Sequence, residues 1–98
     1  MERINKEVSE TAYVRLRNRQ PHSITLHIEP WGEQLMMAPD VIYVVAMNGP
    51  AGDCMEVSLE EKNLVVYGWA GSIFYVHQDG MVLCECSIPA PATPSELA

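Results

Sequence analysis

The chain has 98 residues, a formal net charge of −7 and 48% hydrophobic residues. This length predicts one domain, residues 1–98, which can bury a core without disulfide bonds or metal ions. The acidic balance argues against nucleic acids and anionic membranes as partners, because both repel a negatively charged surface. The charged first residues lack the apolar stretch of a secretory signal, and no apolar run approaches the ~20 residues of a membrane helix.

Three cysteines indicate a reducing compartment. They cannot all pair within one chain, and Cys84 and Cys86 lie two residues apart on one predicted strand, where a mutual disulfide is strained. Free thiols are typical of intracellular proteins. The sequence therefore predicts a cytoplasmic protein.

The first half of the chain predicts strands joined by proline turns. Residues 1–11 are charged and show no apolar period, so we expect a loose N-terminal arm. Residues 13–18 form the first predicted strand, and residues 23–29 alternate apolar and polar side chains without interruption. If these two strands form a hairpin, Arg15 and Arg17 lie beside the outer residues of the second strand. Those outer residues are Thr25, His27 and Glu29.

The second half continues the same pattern. Residues 41–47 are apolar on both faces and predict a central strand, and residues 48–53 predict a mobile loop. Further short strands are predicted up to about residue 88, and residues 89–98 form a proline-rich tail. Seven to eight short strands predict an all-β domain, an antiparallel β-sandwich or small jelly roll.

The inward positions of the predicted strands give an expected core. Its members are Leu16, Ile24, Leu26, Ile28, Val44, Val57, Leu59, Val66, Phe74, Val76 and Val82.

One segment carries a resemblance to known proteins. It contains L-H-I-E-P-W-G-E, with V-R-L-R-N before it and A-P-D-V-I-Y-V-V-A after it. Over about residues 14–46 the chain resembles short uncharacterised bacterial all-β proteins in which a strand ends in Glu-Pro-Trp-Gly. The resemblance implies a cupredoxin-like sandwich and carries no activity with it.

A metal or redox site is the main alternative function. Its candidate ligands are His27, His77, Cys84 and Cys86. A blue-copper loop also needs a histidine close behind the cysteine, and none follows Cys86. The sequence therefore favours no metal and no cofactor.

Three surface sites are weighed against plainer roles. Glu29 and Glu33 could form a glycosidase-type carboxylate pair, although such pairs are common by chance in an acidic protein, and we expect no enzyme. Trp31 could be a platform for a sugar or peptide, or it could cover the end of the core. Arg15 and Arg17, with Arg19, could bind an anion or neutralise nearby glutamates.

The predicted function is binding to another protein or to a second copy of the chain, most simply as a homodimer. The last hairpin has apolar side chains on both faces, and a solvated strand face is normally polar. The residues left over for an interface are Ile73, Tyr75, Met81 and Leu83.

Overall fold

In a computed structural model, which describes residues 9–91, the chain forms eight strands. Their bounds are β1 Ser9–Arg17, β2 Ile24–Glu29, β3 Glu33–Met37, β4 Ile42–Pro50, β5 Glu56–Glu60, β6 Asn63–Tyr67, β7 Ile73–Gln78 and β8 Met81–Cys86. None of the described residues belongs to a helix with the length and apolar character of a membrane span.

The strands make two sheets of four. The first sheet has the order β1-β4-β7-β8 and the second has the order β3-β2-β6-β5. Neighbouring strands are antiparallel except for β2 and β6, which run parallel at the centre of the second sheet. The prediction of an all-β sandwich is confirmed, and this parallel pair is its one departure from an antiparallel arrangement among the described strands.

The core lies between the two sheets. Seven of the predicted core residues are buried, namely Leu16, Ile24, Leu26, Ile28, Val66, Phe74 and Val76. The alternation of β2 is complete, since its three inward residues are buried and the three between them are half-buried. Burial of these apolar side chains is the main source of stability in a domain of this size.

Four predicted core residues were assigned wrongly. Val44 is half-buried, because the inward residues of β4 are its neighbours Tyr43 and Val45. Val57 and Leu59 are 42% and 75% exposed, since β5 is an edge strand with a neighbour on one side only. Val82 is 44% exposed, because the two-residue turn Asp79-Gly80 pairs it with His77, whose side chain points away from the core.

The expected hairpin between the first two strands does not form. β1 pairs with β4, and β2 belongs to the other sheet, so the chain crosses between sheets after β1. Asn18 is buried at this crossing, where its Nδ2 donates to the backbone oxygens of His22 and Met37 at 2.9 and 2.8 Å. Its Oδ1 accepts a hydrogen bond from the backbone N–H of Gln20 at 2.8 Å. These bonds fix the chain at the point where it leaves the first sheet.

The ends of the described chain are better ordered than the sequence predicts. β1 begins at Ser9, so residues 9–11 of the expected arm are strand, while residues 1–8 lie outside the described residues. At the start of the expected tail, Ala90 is buried and exchanges backbone hydrogen bonds with Gly71 and Ser72. Residues 92–98 lie outside the described residues. In the predicted mobile loop, residues 48–50 are the end of β4.

The first prediction concerns the core. We expect Leu26→Ala to lower the free energy of unfolding by ~2 to 5 kcal/mol, because Leu26 is fully buried. Urea denaturation measures the change. The matched control is Leu59→Ala on the edge strand β5, where Leu59 is 75% exposed and for which we expect at most ~0.5 kcal/mol. Equal losses in the two variants would contradict this description of the core.

The second prediction concerns the buried crossing. Asn18→Ala leaves buried backbone groups without their partner, and we expect a loss of ~1 to 3 kcal/mol in the free energy of unfolding. Asn48→Ala removes an exposed hydrogen bond to Thr11 and is the control, with an expected loss of ~0.5 kcal/mol or less. A neutral Asn18→Ala would show that the crossing is held by other contacts.

Candidate interaction face

The outer side of the first sheet carries neighbouring apolar side chains on all four of its strands. Cross-strand pairing places Tyr13, Ala46, Tyr75 and Glu85 in one row across the four strands. The next row contains Arg15, Val44, His77 and Val82. We call this side the outer face. Its apolar members are Tyr13, Ile42, Val44, Ala46, Ile73, Tyr75, Val82 and Leu83.

The middle of the outer face is apolar and its margins are charged. Val44, Ala46, Ile73 and Tyr75 on the two central strands are half-buried by their neighbours. Tyr13 on β1 is 71% exposed and Leu83 on β8 is 38% exposed. Such a centre meets solvent in a place where antiparallel sheets normally carry polar side chains.

A bulge decides which residues of β8 contribute. The two-residue turn Asp79-Gly80 has positive φ at both positions, and the register shifts between Val76 and His77. Cys84 therefore pairs with inward Val76, while Val82 pairs with outward His77, and Leu83 between them also lies on the outer side. The extra residue of the bulge is Leu83, so β8 presents two apolar side chains, Val82 and Leu83, on the outer face.

The predicted interface residues do not all lie on the outer face. Ile73, Tyr75 and Leu83 belong to the outer face, as the sequence predicts. Met81 pairs with Gln78, which alternates with His77, so Met81 lies on the other side at the tip of the hairpin. Val44, Ala46 and Val82 join the face instead, and sequence reasoning missed them because it placed Val44 and Val82 in the core.

The outer side of the second sheet is different in character. It carries the hydrogen bond between His27 Nε2 and Asn63 Oδ1 at 2.8 Å, together with polar side chains from β2, β3 and β5. An open depression of about 570 Å3 runs over it, and its lining includes Glu29, Glu60 and Tyr67. This side carries more polar than apolar side chains, although Met36, Val65 and Tyr67 also lie on it.

The predicted metal ligands lie on three separate surfaces. His27 is on the outer side of the second sheet and His77 is on the outer face of the first. Cys84 and Cys86 are on the inward side of β8. Among the described residues, no three His, Cys, Asp or Glu side chains come together as a set that could hold a metal ion.

The predicted carboxylate pair is also separated. Glu33 pairs across the strands with inward Ile28, whereas Glu29 is the next residue along β2 and lies on the outer side. The two carboxylates thus belong to opposite sides of the second sheet, so they do not form a glycosidase-type pair.

Trp31 covers the end of the core. Its ring lies 5.1 Å from the ring of Phe74, and its Nε1 donates to the backbone oxygen of Ile88 at 2.7 Å. The side chain is half-buried. This arrangement matches the core-covering role rather than an open platform for a sugar.

The arginines of β1 lie on the margin of the outer face. Arg15 pairs across strands with Val44, and Arg17 pairs with Ile42 and lies 3.4 Å from Asp40. The expected neighbours Thr25, His27 and Glu29 belong to the other sheet, because β1 does not pair with β2. The carboxylate that Arg17 contacts is therefore Asp40, from the turn before β4.

The cysteines differ in their surroundings. Cys54 is exposed, while the Sγ atoms of Cys84 and Cys86 lie 3.8 Å apart inside the β8 margin. Burial, and then the neighbouring Cys84, raises the pKa of Cys86 from 9.0 to about 12. Burial also raises the pKa of Cys84. Both thiols, half-buried Cys84 and buried Cys86, are therefore poor nucleophiles near neutral pH.

No protein-family model matches this chain, and no curated protein or solved structure matches it either.

The third prediction concerns thiol reactivity. At pH 8 we expect iodoacetamide to modify Cys54 first and Cys86 last, because a pKa of about 12 leaves about a thousandfold less thiolate than a pKa of 9.0. Mass spectrometry of digested samples taken over time follows each site. Cys54→Ser should remove the fast phase, and urea should make the remaining sites react alike. Early modification of Cys86 in the folded protein would contradict its placement in the core.

Proposed function

We propose that this protein is a non-enzymatic binding module that associates with a second copy of itself through the outer face. The observation that carries the proposal is the apolar centre of that face, built from the central strands β4 and β7. Soluble monomers seldom expose contiguous apolar patches larger than a few hundred Å2, and this face is close to that size. A closed dimer needs only one self-complementary patch and is the commonest assembly of identical chains.

The size of the face sets the expected affinity. Four strands about 4.8 Å apart and a stretch of six residues at about 3.4 Å each give a footprint of roughly 300 to 400 Å2. Stable interfaces bury about 800 Å2 on each partner, so this face belongs to the small class. We therefore expect a weak dimer that exchanges rapidly.

Two observations support placing this module in the cytoplasm of a bacterium. The three cysteines are free thiols, which suits a reducing compartment. The segment around Trp31 resembles bacterial proteins of the cupredoxin-like sandwich type. The chain has the two-sheet architecture that this resemblance implies.

The fourth prediction tests the self-association. Sedimentation velocity of the untagged full-length chain between about 1 and 100 µM should show a monomer–dimer equilibrium that persists in high salt, because the contact is apolar at its centre. Leu83→Glu places a charge on the outer face and should weaken the dimer at least tenfold without unfolding the domain.

The matched control is Leu59→Glu, which makes the same chemical change at an exposed leucine of β5 outside the outer face. It should leave the association constant unchanged. A wild-type monomer at every concentration would refute the proposal, as would equal effects of the two variants.

A further inference from the structure

The outer face has opposite charges at its two margins. On the β1 margin, the outward residues Arg15 and Arg17 alternate with buried Leu16. On the β8 margin, the outward residue Glu85 is the cross-strand partner of Tyr75. The apolar centre thus lies between a basic strand and an acidic one.

Two simple two-fold arrangements bring such a face against its copy. An axis perpendicular to the strands places β1 over β1, so that arginines of the two copies meet. An axis parallel to the strands places β1 of one copy over β8 of the other, so that arginine meets glutamate. Like charges across an interface are unfavourable and opposite charges select the register.

The shapes of the side chains at the centre of the outer face also favour the axis parallel to the strands. With the axis parallel to the strands, β4 of one copy lies over β7 of the other. Ala46 and Tyr75 belong to one row, so each small Ala46 then faces the large Tyr75 of the second copy, twice across the axis. Small side chains opposite large ones let the layers of two packed sheets interdigitate.

We infer that the dimer has its two-fold axis parallel to the strands, with Arg15 of each copy paired with Glu85 of the other. This inference rests on the proposed self-association. Arg15 and Glu85 lie in adjacent rows, which are separated by about 7 Å along the strand, a distance that an arginine side chain spans. Arg17 already contacts Asp40, which makes Arg15 the residue to test.

A charge-exchange series measured by sedimentation tests the arrangement. Arg15→Glu and Glu85→Arg should each weaken the dimer about tenfold at low salt, since each loses two marginal ion pairs and creates two like-charge contacts. The double variant Arg15→Glu/Glu85→Arg should restore the association constant to within about threefold of wild type. In 1 M salt the differences among these variants should shrink, because the margins are screened.

The matched control is Glu60→Arg, which makes the same change on the outer side of the second sheet. It should have no effect. If Glu60→Arg weakens association and its combination with Arg15→Glu restores it, the copies associate head to tail and the inference is overturned. If the wild type dimerises while no charge variant alters it, the inference fails and the proposed function stands. A wild-type monomer would instead refute the proposed function itself.

Discussion

The fixed position of Phe74 is the constraint on which much of the structure depends. Its side chain is fully buried, and its ring lies 5.1 Å from Trp31 and 6.0 Å from Trp69. Trp31 follows β2 in the second sheet and Trp69 precedes β7 in the first, so Phe74 joins a turn of one sheet to the entry into the other. Because strand residues alternate, an inward Phe74 obliges Ile73 and Tyr75 to lie on the outer face. The packing of the core thereby fixes which residues lie at the centre of the outer face.

Trp69, which packs against Phe74, is also held closely against β4. Its Nε1 donates to the backbone oxygen of Pro50 at 2.9 Å, and its backbone N–H donates to Ser72 Oγ. A Cβ at Gly49 would stand 2.8 Å from the Trp69 ring and 2.9 Å from Ser72 Cα, so only glycine fits there. Buried Ser72 satisfies its own hydroxyl by donating to the Trp69 carbonyl at 2.6 Å. Polar atoms at this end of the core are paired locally, and the outer face carries the separate hydrogen bond between Asn48 and Thr11.

Local pattern predicted much of the fold, and long-range pairing accounts for most of what it missed. The alternation of β2 depends on neighbouring residues, and it appears in the structure. The pairing of β1 with β4 joins residues such as Tyr13 and Ala46, which no short-range signal connects. The sequence placed Asn18 at the end of the first predicted strand, whereas it lies just after β1 and is buried, with three backbone groups bonded to its amide.

The candidate site was predictable in its centre and not in its extent. The positions of Ile73 and Tyr75 on the outer face follow from the alternation of side chains along β7. The alternation along β8 is interrupted by one bulge that the sequence does not reveal. The two-residue turn Asp79-Gly80 places Met81 off the outer face and Val82 on it, and the bulge then places Leu83 on the outer face as well. The sequence identified the arginines of β1 as a group. It did not predict their neighbours, because β1 lies at the margin of the first sheet and does not pair with β2.

The contrast between the two outer sides bears on why the outer face is apolar. The second sheet shows that this chain carries ordinary polar positions where a sheet meets water, with His27 and Asn63 bonded to each other across β2 and β6. On the first sheet, the equivalent central positions are Val44, Ala46 and Tyr75, which gain nothing for the core because they face away from it. Polar residues there would leave the inward packing of Phe74 and Val76 unchanged. We propose that a second copy covers this apolar row, which the fold does not need, and that the charges on its two margins supply the register that an apolar contact alone lacks.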